Sequence, residues 1–477
     1  MEFESEAERE ALERATSFSI PGSQFSASYT AGCWDGKKRF LTAANKLPMG
    51  LFKSLFPTHS LVYNTNPDYS FNDLSFFRMN PQFAGRKYQL EAINTIFTEK
   101  RLIIAAVVGA GKTLIAAATI LKHLETFPKG KVLFVVYDKN ILKQTADKFT
   151  EYGIPYTVFG GGTKDLTGDV VIATIQTLNN LKNPTKSLAA FTMCFSDEAH
   201  HSKAKTSKDI FSRLKGCEYY IGLTGTPPKQ GTLDYAELVC TLGPVRYEYG
   251  FQTATTAGNI APVKCFFLRT PFSFDTAGKT VNRKNYQTIW ENGIRDSEIR
   301  NKTIASVVAT INTLLKTPTL IMVDRTEHGC NIGEQIKQFQ NIRHLEMYGE
   351  DSIVVREAKR EFLMNNDIDI LISTLNKEGV DFAISPVVAF NAAGRKSFVS
   401  QIQFLGRIVR KNEDFKSFRV YYDFLDIAHP KLKEHSEERL QACRDTGSSV
   451  VICESINELL AKTIEYYKEC GLKAPTF

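Results

Sequence analysis

The stretch Leu102–Leu121, LIIAAVVGAGKTLIAAATIL, constrains this chain more than any other. A short apolar run ends in Val108-Gly109-Ala110-Gly111-Lys112-Thr113, and an Ala-rich helical pattern follows at once. Strand, glycine turn and helix start in that order build an anion site. Backbone N–H groups of the turn and the helix N-terminus point at phosphate oxygens, and Gly109 and Gly111 leave room for close approach. Lys112 is placed to reach the β/γ-phosphates of a nucleotide and Thr113 to ligate Mg²⁺. The strict pattern has a glycine where this chain has Ala106, so the match is to a relaxed phosphate loop. The stretch has the length of a membrane span. Lys112 in its middle would cost about 3 kcal/mol in a bilayer core, and two glycines break the run, which argues against a span.

A chain of 477 residues suggests roughly three domains by length. At 43% hydrophobic and 23% charged residues it has the make-up of a soluble globular protein with large cores. The net charge of +7 permits a polyanionic partner without demonstrating one. Nine scattered cysteines form no CxxC pair, and the acidic start Met1-Glu2-Phe3-Glu4-Ser5-Glu6 is unlike a secretory leader, so a reducing, cytoplasmic setting is expected. His200-His201 has no cysteine neighbours, which argues against zinc.

Along the chain, Glu4–Arg14 carries Ala7, Ala11, Leu12 and Ala15 at helical spacing, and Phe18-Ser19-Ile20 reads as a strand closed by Pro21-Gly22. Asp35-Gly36, between a Trp-bearing run and Lys37–Leu41, signals a hairpin. Trp34, Tyr29 and Phe40 beside Lys37, Lys38 and Arg39 have two readings. They are a nucleic-acid grip of stacking rings and cations, or the core of a small domain with a solvated basic turn. Pro48–Pro81 is rich in Phe, Asn and Pro, and a boundary is expected near Asn80-Pro81.

From Arg86 onward, apolar runs of strand length alternate with amphipathic helices. Leu102–Val108, Val132–Tyr137, Val170–Ala173, Thr192–Phe195 and Tyr219–Leu223 form one series. Val263–Leu268, Thr319–Val323, Ile370–Ser373, Val387–Asn391 and Val420–Phe424 form a second. Such alternation predicts parallel sheets covered by helices, here two α/β domains joined around Gly250–Pro262. Glu434–Gly447 and Ser455–Cys470 read as closing helices.

The run Thr192–Phe195 delivers Ser196-Asp197-Glu198-Ala199-His200. A carboxylate at a strand end near a phosphate loop suits Mg²⁺, which prefers one or two carboxylates with waters and phosphates. Asp197 is the candidate metal ligand, and Glu198 is placed to deprotonate an attacking water.

GAGKT together with DEAH resembles the superfamily 2 helicases and translocases. Further segments match that set in order: Arg86-Lys87-Tyr88-Gln89, Ile172-Ala173-Thr174-Ile175-Gln176-Thr177, Leu223-Thr224-Gly225-Thr226-Pro227, Thr374-Leu375-Asn376-Lys377-Glu378-Gly379-Val380-Asp381, and Gln401-Ile402-Gln403-Phe404-Leu405-Gly406-Arg407-Ile408-Val409-Arg410. The resemblance implies ATP and Mg²⁺ as cofactors. It implies Gln89 on the adenine edge with Arg86 nearby, Gly379 and Asp381 beside the nucleotide, and Gln403, Arg407 and Arg410 on one helix face as the arginine-finger helix. It also implies His200, Thr224 and Thr226 as coupling residues, and Thr174, Gln176 and Thr374 on the phosphates of a nucleic-acid strand. The fold it implies is α/β: two tandem RecA-like parallel-sheet domains (81–258 and 259–447), preceded by a small α+β nucleic-acid-engaging domain (1–80) and closed by a C-terminal helical segment (448–477).

Trp34–Leu41 with Leu47–Leu51, Val323–Gly329 and Glu378–Asp381 resemble the phage recombination helicases of the UvsW type. That resemblance implies a DNA helicase acting on branched substrates: fork regression, Holliday-junction migration and R-loop removal, with RNA met in hybrids and no membrane partner. Tyr137-Asp138-Lys139-Asn140 departs from the usual Pro-Thr-like segment. Three alternatives remain open: an RNA-directed or transcript-releasing helicase, a duplex translocase that separates no strands, and a non-catalytic nucleic-acid-binding scaffold.

Overall fold

The computed structural model describes residues 3–56, 85–203, 205–270, 285–374, 387–396, 404–406, 408–409 and 417–472. The chain divides into two compact units, Met1–Ala106 with Gly111–Tyr249, and Val107–Ala110 with Gly250–Phe477.

In the first unit, Ser17–Ser19 (β1) and Lys37–Arg39 (β2) pair antiparallel, and a larger sheet follows. Its strands are Arg101–Ala106 (β3), Val132–Val136 (β4), Thr157–Gly160 (β5), Thr163–Lys164 (β6), Val170–Thr174 (β7), Met193–Ser196 (β8), Tyr219–Thr224 (β9) and Val245–Tyr249 (β10). They lie in the order β10-β3-β9-β8-β4-β7-β5-β6, parallel except for β5 with β6. The inner strands are apolar along their length because helices cover both faces, and β4, β7, β8 and β9 are buried throughout.

The second unit has Lys264–Thr270 (β11), Thr319–Val323 (β12), His344–Met347 (β13), Ile370–Thr374 (β14), Val388–Asn391 (β15), Val420–Asp426 (β16) and Ser449–Cys453 (β17). These lie parallel in the order β13-β14-β12-β15-β16-β11-β17. Helices Glu298–Leu315, Thr326–Ile336 and Ile456–Glu469 bury apolar faces on or beside this sheet.

Three expectations are corrected. Asp35-Gly36 does not turn a hairpin: β2 pairs back to β1, and the run before it forms short helical turns at Ser23–Phe25 and Ala27–Thr30. The described N-terminal residues do not stand apart as a domain. Helix Met49–Leu55 packs on helix Leu233–Leu242 through Leu51, Tyr235 and Val239, with Phe40 and Leu47 alongside. The segment 448–477 is not only helical, since its Ser449–Cys453 forms β17 beside β11. The expected boundary near Asn80-Pro81 lies outside the described residues.

Helix Met49–Leu55 owes its close seat to Gly50, where an added Cβ would stand 1.9 Å from the Val239 carbonyl oxygen. Backbone cannot yield there as a flexible side chain would. We therefore expect Gly50→Ala to destabilise the first unit by about 1–3 kcal/mol and to speed proteolytic cleavage within residues 3–56. Thermal melting and limited proteolysis check this, and an unchanged cleavage rate would contradict the docking.

Candidate active site

Because the first sheet is parallel from β10 to β5, the turns that follow its strands leave from one edge, where α/β proteins place ligands. The register fixes their order. Ala106 pairs Tyr249, Ala105 pairs Thr224, Gly222 pairs Ser196, Ser196 pairs Val135, and Val136 pairs Thr174. One strand, β9, separates the phosphate-loop strand β3 from the carboxylate strand β8. Two strand spacings amount to about 10 Å, which suits phosphates and a metal between the two turns.

Gly109 and Gly111 both have positive φ, +86° and +78°, and Gly111 is the N-cap of helix Lys112–Thr126. An L side chain at Gly111 would be strained by that angle. Its Cβ would also stand 2.6 Å from Nε2 of Gln89, so the amide of Gln89 lies against the loop. Gln89 is 3% exposed, and its Oε1 accepts the Arg86 backbone N–H at 2.9 Å, which leaves Nε2 as the donor end facing the loop. The Arg86 side chain is exposed at the start of helix Lys87–Glu99. Beside it, Tyr88 stacks on Tyr249 with centroids 3.9 Å apart and planes 2° from parallel.

Lys112 Nζ donates to the Ala106 carbonyl at 3.2 Å, so the ammonium already sits over the mouth of the loop. Thr113 follows, half-buried, in the first turn of the helix. The glycine cradle, the ammonium, a first-turn hydroxyl and the strand-end carboxylate together fit a nucleotide with its divalent cation. Among the described residues no group of three or more His, Cys, Asp or Glu could hold a metal by itself. A cation here would therefore be shared between the chain and phosphates, as Mg²⁺ commonly is.

The carboxylate turn is tightly braced. Asp197 N–H donates to Val135 O at 3.0 Å, and Glu198 N–H donates to Asp197 Oδ1 at 3.0 Å. Glu198 has φ +43°, a left-handed conformation that costs a non-glycine residue about 1–3 kcal/mol. His200 Nδ1 lies 3.4 Å from Glu198 Oε2 and 3.3 Å from Thr224 Oγ1, and Thr224 Oγ1 accepts the Thr226 N–H at 3.1 Å. Glu198, His200, Thr224 and Thr226 thus form one connected chain across β8 and β9. The Thr226 hydroxyl is buried with no hydrogen-bond partner among the described residues.

The expected nucleic-acid contacts fare differently. Thr174 is 3% exposed and caps helix Ile175–Asn179, accepting the Thr177 N–H at 3.4 Å and sharing a 2.8 Å bond with the Thr177 hydroxyl. Its hydroxyl is therefore engaged within its own turn, as an N-cap. Gln176 is exposed, but its Nε2 donates to Tyr137 O at 2.8 Å. Thr374 is half-buried at the end of β14 in the second unit.

In the N-terminal trio, Lys38 pairs with Glu237, and Arg39 pairs with Glu13 at 2.9 Å and Asp35 at 2.6 Å. The Arg39 guanidinium holds the Asp35 carboxyl below the usual range. Trp34 Nε1 donates to Lys37 O at 3.0 Å, while the Lys37 side chain is exposed. Two of the three cations expected to face a polyanion are therefore matched by carboxylates. Gln403, Arg407, Arg410, Gly379 and Asp381 lie outside the described residues. Tyr249, Ser202 and Ser207 also stand at this edge and went unnoticed in the sequence, where a lone tyrosine or serine carries no pattern.

Fold and site together have the make-up of a nucleotide-binding motor core, and the chain is similar to superfamily 2 helicases. Residues 82–229 match the family described as type III restriction enzyme, res subunit. The chain is 26% identical over 457 residues to the ATP-dependent DNA helicase UvsW of Enterobacteria phage T4, across 89% of this chain and 88% of that one. A helicase of the Sulfolobus islandicus filamentous virus (isolate Iceland/Hveragerdi), named as a possible one, is 22% identical over 366 residues, 72% of this chain and 65% of its own length. Among solved structures, a fragment named for the HsdR subunit of a type I restriction enzyme from Vibrio vulnificus YJ016 superposes with a TM-score of 0.56. It is 18% identical and covers 92% of this chain and 84% of that one, a likeness of fold alone.

Removing the carboxylate charge of Glu198 should leave nucleotide binding in place. For Glu198→Gln we expect ATP affinity within a few-fold of the unaltered chain and turnover lower by about 10²–10⁴-fold, measured by nucleotide titration and phosphate release. Lys112→Ala should lose both. Undiminished turnover in either variant would contradict the roles of Glu198 as base and Lys112 as phosphate ligand.

Proposed function

We propose that the protein is an ATP-driven DNA helicase that remodels branched DNA, regressing forks, migrating Holliday junctions and removing R-loops. The observation that carries this reading is the alignment with UvsW, which spans 89% of this chain and so extends well beyond the residues 82–229 matched by the family model. In this reading Gln89 Nε2 donates to the adenine edge, and the loop N–H groups with Lys112 hold the phosphates. Thr113 and Asp197 hold Mg²⁺, which would neutralise phosphate charge. Glu198 takes the proton of the attacking water, held toward it by the strained turn and by His200. The bond from His200 to Thr224 gives the coupling residues a direct path from that base to the neighbouring strand end.

Among the described residues no helix is long and apolar enough to cross a membrane. Strand contacts of such a motor go to the backbone rather than to base edges, so binding should ignore sequence and weaken with salt. The N-terminal residues enter this reading through Trp34 and Lys37 more than through Lys38 and Arg39, whose charges are already paired.

The discriminating measurement is an ATP-dependent unwinding panel of a fork, a four-way junction, an R-loop and duplex RNA. We expect turnover of the three branched or hybrid substrates and none of duplex RNA. Unwinding of duplex RNA alone would replace this reading with an RNA-directed helicase. DNA-stimulated ATP hydrolysis with no strand separation on any substrate would replace it with a duplex translocase.

A further inference from the structure

The departure Tyr137-Asp138 has a counterpart in the structure. Tyr137 follows the last residue of β4, and β4 lies between β8, which carries Asp197 and Glu198, and β7, which carries Thr174 into Gln176. The Tyr137 hydroxyl lies 2.9 Å from Ser202 Oγ and 2.9 Å from Ser207 Oγ, and Ser202 Oγ lies 2.8 Å from Ser196 Oγ. Ser196, Ser202 and Ser207 are all 1% exposed or less. The ring packs against His201, with centroids 5.0 Å apart. On its other side, the Tyr137 carbonyl accepts Gln176 Nε2 at 2.8 Å. One residue therefore touches both the turn that bears the catalytic carboxylates and the turn expected to meet the strand.

The chemistry of this cluster makes it directional. A hydroxyl donates once, so Tyr137 can donate to at most one of its two serines and accepts from at least one, and Ser202 is limited in the same way between Tyr137 and Ser196. Burial disfavours the phenolate and keeps the group a neutral donor. A displacement of the Ala199–Lys203 turn moves Ser202, and Ser202 cannot move without breaking a buried bond or carrying Tyr137 with it. An unmade bond at such a site costs about 1–3 kcal/mol, so movement together is favoured.

We infer that Tyr137 is a positioning residue that couples nucleic-acid engagement near Gln176 to the ATPase carboxylates, through the hydroxyl relay Ser196–Ser202–Tyr137–Ser207. It touches neither nucleotide nor strand in this role. The inference rests on the reading of the chain as a nucleic-acid-stimulated motor, and it names the side chains that carry the stimulation.

The test uses the full chain, with ATP hydrolysis measured with and without single-stranded DNA, and DNA binding measured separately by fluorescence anisotropy. Tyr137→Phe removes only the hydroxyl. The expected result is basal hydrolysis and DNA affinity within about twofold of the unaltered chain, with stimulation by saturating DNA at least about fivefold lower. Ser202→Ala should behave alike, and the double variant should be little worse than either single one, since both cut the same relay. A residue serving only to stabilise the fold would lower basal and stimulated rates together, and the inference would then fail. Stimulation retained in Tyr137→Phe overturns the relay while leaving the motor reading intact. An unaltered chain that no nucleic acid stimulates overturns the motor reading and the relay with it. Should Tyr137→Phe melt early, Ser207→Ala with the same readouts decides, since it leaves the aromatic packing whole.

Discussion

The parallel hydrogen-bonding of the strands is the constraint on which the rest of this protein depends. Parallel neighbours need a crossover between them, and the crossovers here are mostly helices, so the turns that follow the strands share an edge. The order β10-β3-β9-β8-β4-β7 then sets which turns are neighbours. Phosphate loop, Thr224, Asp197-Glu198, Tyr137 and Thr174 come from widely separated parts of the sequence, yet they stand side by side because of register alone. No individual side chain holds the site together; the backbone ladder does.

The second unit is organised by burying charge. Asp423 and Asp426 on β16 meet Arg439 and Arg300, with bonds of 3.0 Å from Arg439 Nε to Asp423 Oδ2 and 2.9 Å from Arg300 Nε to Asp426 Oδ1. Asn391 donates to both Tyr421 and Asp423, Tyr421 donates to Asp423, and Arg300 also reaches Ala392 O. All of these side chains are nearly or fully buried. Such a network gives little net stability over an apolar core, but leaving one charge unpaired costs about 3–5 kcal/mol. Its value lies in specificity. It fixes how the chain leaves β15 and β16, and Phe404 rests edge-on against Tyr421 with centroids 5.6 Å apart. Arg395 extends the pattern, lying 4.1 Å over the Trp290 ring and bonded to Asp324 at 2.8 Å.

How much of this was legible follows from burial. Interior strands such as Val132–Val136 and Thr319–Val323 are apolar at nearly every position because both faces are covered, and they stand out in the sequence. The strands that escaped notice, β5, β6, β10, β13 and β17, lie at or next to a sheet edge. Val245–Tyr249 reads VRYEY and His344–Met347 reads HLEM, half-exposed runs in which polar residues interrupt the apolar signal. The candidate nucleotide site stands out in the sequence because it combines particular residue types at fixed spacing. The strand-contact residues do not, because a threonine that caps a helix and one that binds a phosphate are the same letter. Thr174 caps a helix, and Lys38 and Arg39 have carboxylate partners that are distant in sequence or on the far side of a turn.

The strain at Glu198 connects these threads. A left-handed glutamate persists only where its surroundings over-determine it, and here they do so from both flanks. On the β9 side, His200 ties the turn to Thr224. On the β4 side, Ser196 and Ser202 tie it to Tyr137, and Asp197 N–H is held by Val135 O. A turn braced on both flanks cannot adjust to one neighbour alone. Relaxing the glutamate toward an ordinary backbone conformation would act on a turn bonded on both flanks. The turn that presents Asp197 and Glu198 is therefore tied by side-chain bonds to the ends of two different strands, so a displacement on either flank reaches the same strained backbone.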